Sequence, residues 1–284
     1  MLNLKHHAES ALDFLDAVIK SKRNSPKDPD YKTRLQALEA DIKTHFVAYD
    51  TLFAVDSLQA LAPAGYNGKN KEDILELYSY HSAIMQKLKK GVTTLELKRV
   101  ISTCQNCTIG EINSFDHAVP QSEFPEFVVH PKNLFPSCTR CNGHKSNIWR
   151  GHGNRVFLNL YLDQLPDLQY LFVAATVNPG DIDTTFTVSN PYGIDLPIYK
   201  KISFHYDKLQ LCRRFSENTD KVITPLKHNI SSSLEKLTIE EAVDVAIKTA
   251  NRNRKAFGFN YWKSLLELEL LSSPTFWQMC IDDK

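Results

Sequence analysis

Residues 104–147, CQNCTIGEINSFDHAVPQSEFPEFVVHPKNLFPSCTRCNGHKSN, gather the side chains best able to do chemistry. Two Cys-x-x-Cys pairs, Cys104/Cys107 and Cys138/Cys141, place four thiolates on two tight turns, the ligand set of a closed tetrahedral Zn²⁺ site. A redox pair would open a helix in a βαβ unit, a context neither pair has. Four sulfur ligands leave such an ion no open position, so catalysis would need a second metal. Asp116, His117 and Asn142 could provide it. A carboxylate and an amide oxygen are hard donors suited to Mg²⁺ or Mn²⁺, and a neighbouring imidazole can take a proton from water. Plainer readings stand beside these: Asp-His as a capped turn, Asn133 as a turn residue, Asn142 as a helix N-cap.

In their order and spacing these residues resemble the HNH endonucleases, which have the ββα-metal fold. Asp116-His117-Ala118-Val119-Pro120-Gln121 is similar to the start of the HNH domain in RNA-guided CRISPR nucleases. An Asn directly after the last zinc cysteine, Cys141-Asn142, resembles the phage junction-resolving nucleases. The resemblance implies a central, treble-clef-like ββα-metal module with structural Zn²⁺ on Cys104, Cys107, Cys138 and Cys141. It implies that Asp116 and Asn142 hold a catalytic Mg²⁺ or Mn²⁺, that His117 is the general base, and that Asn133 orients the His117 strand. Lys145 would contact a phosphate or brace the site, and Lys132, Arg140, His144 and Arg150 would bind substrate. Many HNH proteins carry a second His where this chain has Asn142, which makes His144 a candidate accessory ligand; His130 is a further departure. The activity implied is hydrolysis of DNA phosphodiester bonds, leaving 5′-phosphate and 3′-hydroxyl ends. The setting resembles anti-phage or restriction effectors governed by a partner ATPase or sensor, with homo-oligomerisation a further expectation. The alternatives are a junction-resolving or RNA-cleaving nuclease, and a non-cleaving zinc-stabilised nucleic-acid-binding or scaffold protein.

Composition bounds these readings. The chain has 284 residues, 42% hydrophobic and 24% charged, enough to bury a core without disulfides. The formal net charge of +1 is low for a dedicated non-specific DNA binder. Residues 127–162, however, hold five basic residues (Lys132, Arg140, Lys145, Arg150, Arg155) and no acidic one, which predicts a local positive face. No apolar run is long enough to span a bilayer and no signal-peptide pattern is present, so no membrane association is expected and a cytoplasmic location is. Cys212 and Cys280 are left over and read as free thiols in a reducing compartment.

The elements that must position the site predict an α+β protein. Residues 1–94 read as helical, with apolar stripes from Leu4 to Ile19, from Leu35 to Phe53 and from Ile74 to Leu88, and with His6 and His7 inside the first helix. The resemblance makes residues 95–156 the nuclease module, in which a hairpin over 111–119 presents Asp116 and His117, a helix starts at Asn142, and the loop 121–131 is of the kind that reaches towards a minor groove in similar nucleases. Residues 157–284 form a mixed, mainly helical region. Strands are expected at 157–162, 169–177 and 184–189, with a turn at Asn178-Pro179-Gly180, and helices at 203–215 and 221–234. A capping box, Thr238 to Glu241, opens a helix running to about Lys255. Its basic end (Lys248, Arg252, Arg254, Lys255) reads either as a helix-dipole complement or as a phosphate contact.

Overall fold

The computed structural model describes residues 1–178 and 180–283, and the chain forms two compact units, Asn3–Gln164 and Leu165–Lys284 with Met1–Leu2. The architecture is α+β, with helices and, among the described residues, three small antiparallel sheets, two in the first unit and one in the second. The boundary expected between residues 94 and 95 does not separate units, because the N-terminal helices and the cysteine region fold together. The later boundary lies after Gln164 instead of after residue 156.

In the first unit, helix α1 (Ala11–Ser21) starts where the Ser10 side chain accepts the Asp13 amide, and it buries Phe14, Leu15, Val18 and Ile19. The residues before it, His6 and His7 included, are not helical. Leu4 is buried, but its amide donates to the Leu160 carbonyl. Helix α2 (Tyr31–Ala54) buries Leu35, Ile42, Phe46, Tyr49 and Phe53 along one stripe. The stripe from Ile74 to Leu88 belongs to two helices, α3 (Gly68–Leu75) and α4 (Ala83–Thr93), because Ser82 caps a fresh N-terminus by accepting the Met85 amide. The connector between them, residues 76–82, brings Tyr78 and Tyr80 against the next strand.

That strand, β1 (Ser114–His117), pairs antiparallel with β2 (Leu134–Ser137), in a register that sets Asp116 opposite Phe135 and His117 opposite Leu134. Helix α5 (Thr139–Lys145) follows at once, starting three residues before the expected position. The strands β3 (Arg150–Gly151) and β4 (Asn154–Arg155) make a minimal hairpin. Two expectations fail here for the same reason, burial. The segment meant to reach outward is folded in, with Phe124, Phe127, Val128 and Val129 fully buried and only residues 121–123 exposed. Residues 157–162 form no strand, and their aromatic and aliphatic content fills the core as irregular chain.

The second unit holds a long hairpin, β5 (Leu171–Asn178) with β6 (Asp181–Val188), close to the expected strands. Pro179 of the expected turn lies outside the described residues. Helices α6 (Leu196–Lys208), α7 (Leu211–Ser216), α8 (Asp220–Ser233), α9 (Ile239–Phe257), α10 (Trp262–Leu271) and α11 (Pro274–Asp282) pack around it. The capping box at Thr238 and Glu241 is formed. Phe186, Phe215 and Trp262 make an aromatic core, with Phe215 stacked on Trp262 at 5.2 Å. Cys212 and Cys280 are free thiols, Cys280 buried. Among the described residues no helix is long and apolar enough to cross a membrane.

A buried ion pair ties the end of the first unit to its own helices. Arg155 donates to both oxygens of buried Asp163, and its second nitrogen reaches Asp56 at 2.6 Å. Removing one partner leaves a buried charge uncompensated, which costs about 3–5 kcal/mol. Arg155→Met is therefore expected to lower the urea unfolding midpoint of this unit by that amount of stability. An unchanged midpoint would contradict the role given to the pair.

Candidate functional site

The cysteine cluster is built by hydrogen bonds that bend the chain around sulfur. The Cys104 amide donates to the Gly110 carbonyl, and the Thr108 and Cys107 amides fold back onto the Cys104 carbonyl. On the other knuckle the Cys141 amide donates to Cys138 Sγ at the start of α5. All four side chains are buried, their sulfurs lie within 4.8 Å of one another, and Cys107 Sγ is 3.9 Å from Cys138 Sγ. A tetrahedral ion with bonds of about 2.3 Å to sulfur requires sulfurs about 3.8 Å apart, so the cluster could hold a metal such as zinc. Sharing protons among themselves, the thiols diverge. Their mutual hydrogen bonds push Cys141 far above the ordinary thiol range and Cys138 far below it. Such a set is quieted when one cation takes all four as thiolates. Gly110 faces the cluster closely, since a Cβ there would lie 3.3 Å from Cys138 Cβ.

Next to this cluster the β1–β2 hairpin carries Asp116 and His117, both buried. Lys145, from the last turn of α5, donates to Asp116 Oδ1 at 3.0 Å and to the His117 carbonyl at 2.6 Å. Burial raises the Asp116 pKa against the lowering pull of Lys145. His117 Nε2 lies 2.9 Å from the Val128 carbonyl, which can only accept, so Nε2 carries the proton and Nδ1 keeps its lone pair. Burial lowers the His117 pKa to about 4, so the ring is neutral at pH 7. Asn142 Nδ2 donates to the Phe115 carbonyl at 3.2 Å, on the peptide directly preceding Asp116. Covalent geometry then puts that amide within about 6 Å of the Asp116 Cα. Asp116 Oδ2, His117 Nδ1 and Asn142 Oδ1 have no hydrogen-bond partner among the described residues.

Asn133 ties this arrangement together. Its Oδ1 accepts the Val119 amide at 2.7 Å and the Tyr49 hydroxyl, while Nδ2 donates to the Val119 and Phe127 carbonyls. The loop 118–133 is thus closed on one buried amide, and the Val128 carbonyl that fixes His117 lies within it. Asp116 and Lys145 also border a cavity of about 30 Å³, together with Asn106, Phe157 and Tyr161. That is room for a water molecule or a single ion, and far too little for a nucleotide.

Of the expected site residues, the structure brings Asp116, His117, Asn133, Asn142 and Lys145 together around one hairpin. The expected positive face is not assembled. Lys132 pairs with Asp50, Arg150 with Glu123, Arg155 with Asp163 and Asp56, and Lys145 with Asp116. Acidic residues from outside 127–162 or at its edge pair with four of the five basic residues, so Lys132 and Arg150 each already have a carboxylate partner. Arg140 is exposed and His144 half-buried, both on α5. His130 is a core residue, fully buried between Phe46 and Tyr49, with its Nδ1 accepting the Lys132 amide. Sequence reasoning missed Tyr78. Its ring meets the His117 imidazole edge-on at 5.1 Å, and only the Ser82 cap signalled that its helix is broken there.

No family model matches the chain, and no solved structure matches it. The chain is similar to Protein ea31 of Escherichia phage lambda, 24% identical over 247 residues that cover 80% of this chain and 81% of that protein. The name of that protein carries no activity.

If the four sulfurs hold a metal, Cys141→Ser removes one ligand. The variant is expected to lose bound metal, measured by mass spectrometry of the purified protein, and to melt at a lower temperature than the wild type. Equal metal content in both would contradict the cluster as a binding site.

Proposed function

We propose that the chain is a metal-dependent endonuclease of the HNH, ββα-metal type, hydrolysing DNA phosphodiester bonds, with structural Zn²⁺ on the four cysteines. The observation that carries this reading is the tautomer of His117. A neutral imidazole holds Nδ1 open on the strand that bears Asp116, while Asn142 Oδ1, on the adjoining helix, is also unpartnered. This is the disposition a general base needs beside a pair of hard oxygen donors.

The chain's own groups divide the work. His117 Nδ1 accepts a proton from the attacking water, and the Val128 carbonyl supports the charge that the ring then carries. Lys145 favours the ionised form of Asp116 and holds the His117 backbone through its carbonyl. Asn133 keeps the loop from shifting the ring. Asp116 and Asn142 would hold Mg²⁺ or Mn²⁺, and two protein oxygens suit an ion that keeps several waters. When bound, such an ion stabilises negative charge on the phosphate and on the departing oxygen. A partner ATPase or sensor, oligomerisation and a role in anti-phage defence or restriction belong to the same proposal and rest on the resemblance alone.

One observation favours a second reading, a non-cleaving zinc-stabilised protein that binds nucleic acid or serves as a scaffold. Lys145 already neutralises Asp116 without any cation. Plasmid nicking in Mg²⁺ separates the two. The wild type is expected to nick, and His117→Ala to lower the rate by about 10²- to 10⁴-fold. Linear duplex, four-way junction and RNA assayed alongside assign the substrate. No nicking by the wild type, or full activity in His117→Ala, would reject the enzymatic reading.

A further inference from the structure

In the unit Leu165–Lys284, residues 245–266 contain Lys248, Arg252, Arg254, Lys255 and Lys263 and no Asp or Glu. Around the β1–β2 hairpin Lys132, Lys145, Arg150 and Arg155 are each paired with a carboxylate, whereas two of the cations in 245–266 are not. Arg252 and Lys255 are exposed and meet no carboxylate among the described residues. Lys248 has only an exposed pairing with Asp244 one turn away, which solvent screens and a phosphate can replace. Spacings of four and three put Lys248, Arg252 and Lys255 on one side of α9.

The same end of α9 carries aromatic rings that the core does not cover. Phe257 is 42% and Phe259 40% exposed. Each is steadied on one side: Phe257 leans on Tyr261 at 5.1 Å, and the Arg254 guanidinium lies 4.1 Å from the Phe259 ring centre while its Nε donates to the Phe259 carbonyl. Gly258 joins the two rings in a conformation, φ +107°, that disfavours side chains, and a Cβ there would collide with the Met1 carbonyl oxygen. A helix-dipole role accounts for Arg254 and Lys255 in the last turn, but not for Lys248 and Arg252 or for the exposure of Phe257 and Phe259.

We propose that the C-terminal part of α9 and the turn 257–259 bind single-stranded nucleic acid. Lys248, Arg252 and Lys255 take the phosphates, and Phe257 and Phe259 stack on bases. Cations beside rigid, half-exposed rings fit a strand with unstacked bases, which a duplex does not offer. The surface needs no hydrolysis to act, so it stands or falls separately from the nuclease reading.

The test is fluorescence anisotropy on the full chain in a His117→Ala background, without added magnesium. The probes are labelled oligo-dT and oligo-rU of about 20 nucleotides, longer than the footprint of most single-strand binding folds. A matching duplex and polyglutamate serve as the competing partners. Oligonucleotide binding tighter than duplex binding is expected. Phe259→Ala should weaken it about 5- to 150-fold, while Phe259→Tyr, which keeps a stacking face, should not. Arg252→Gln with Lys255→Gln should flatten the dependence of log affinity on log salt by about 1.4, and unchanged circular dichroism shows that the variants fold. Absence of oligonucleotide binding, equal binding in the variants, or equal affinity for duplex or polyglutamate would overturn the proposal. Failure of plasmid nicking would leave these affinities untouched and would count only against hydrolysis.

Discussion

One buried amide organises the candidate site. Asn133 spends its oxygen on the Val119 amide and the Tyr49 hydroxyl, and its nitrogen on the Val119 and Phe127 carbonyls. A buried amide with every polar atom paired stabilises one geometry, and any change of loop path would strand several of those groups at about 1–3 kcal/mol each. The next carbonyl along, Val128, receives the His117 proton. The ring's tautomer is therefore a consequence of how the loop closes, and helix α2 takes part through Tyr49. The N-terminal helices are thus part of the site's support, which agrees with their folding in one unit with it.

Charge is handled in two ways along the chain. Around the hairpin, basic side chains are consumed internally: Lys145 by Asp116, Arg155 by Asp163 and Asp56, Lys132 by Asp50 and Arg150 by Glu123. The buried members of this set stabilise specific geometry, whereas the exposed ones contribute little. Toward the end of α9, by contrast, Arg252 and Lys255 stand exposed without a carboxylate partner among the described residues. A net charge of +1 conceals this difference, because it sums over both regions.

What could be read in the sequence was what short-range spacing dictates. The two cysteine pairs, the apolar stripe of α2, the β5–β6 hairpin and the capping box of α9 all depend on residues a few positions apart, and all are present. The convergence of Asp116, His117, Asn133, Asn142 and Lys145 was also legible, because one hairpin and one helix suffice to bring them together. What failed depended on distant partners. Whether 124–131 is an exposed loop or core, and whether Lys132 and Arg150 are free cations, is decided by helices and acids far away in the chain. The helical reading of residues 1–10 failed because Leu4 pairs with Leu160, a contact no local pattern announces. Tyr78 was hidden because its apolar spacing continues across a helix break.

The chemistry assigned to the site rests on which nitrogen of His117 carries the proton. Long-range ¹H–¹⁵N correlation of the His117 ring at neutral pH measures this directly. A neutral ring protonated at Nε2, with Nδ1 showing the shift of an unprotonated nitrogen, is the expected result. A proton on Nδ1, or a charged ring, would remove the base from the position the loop gives it.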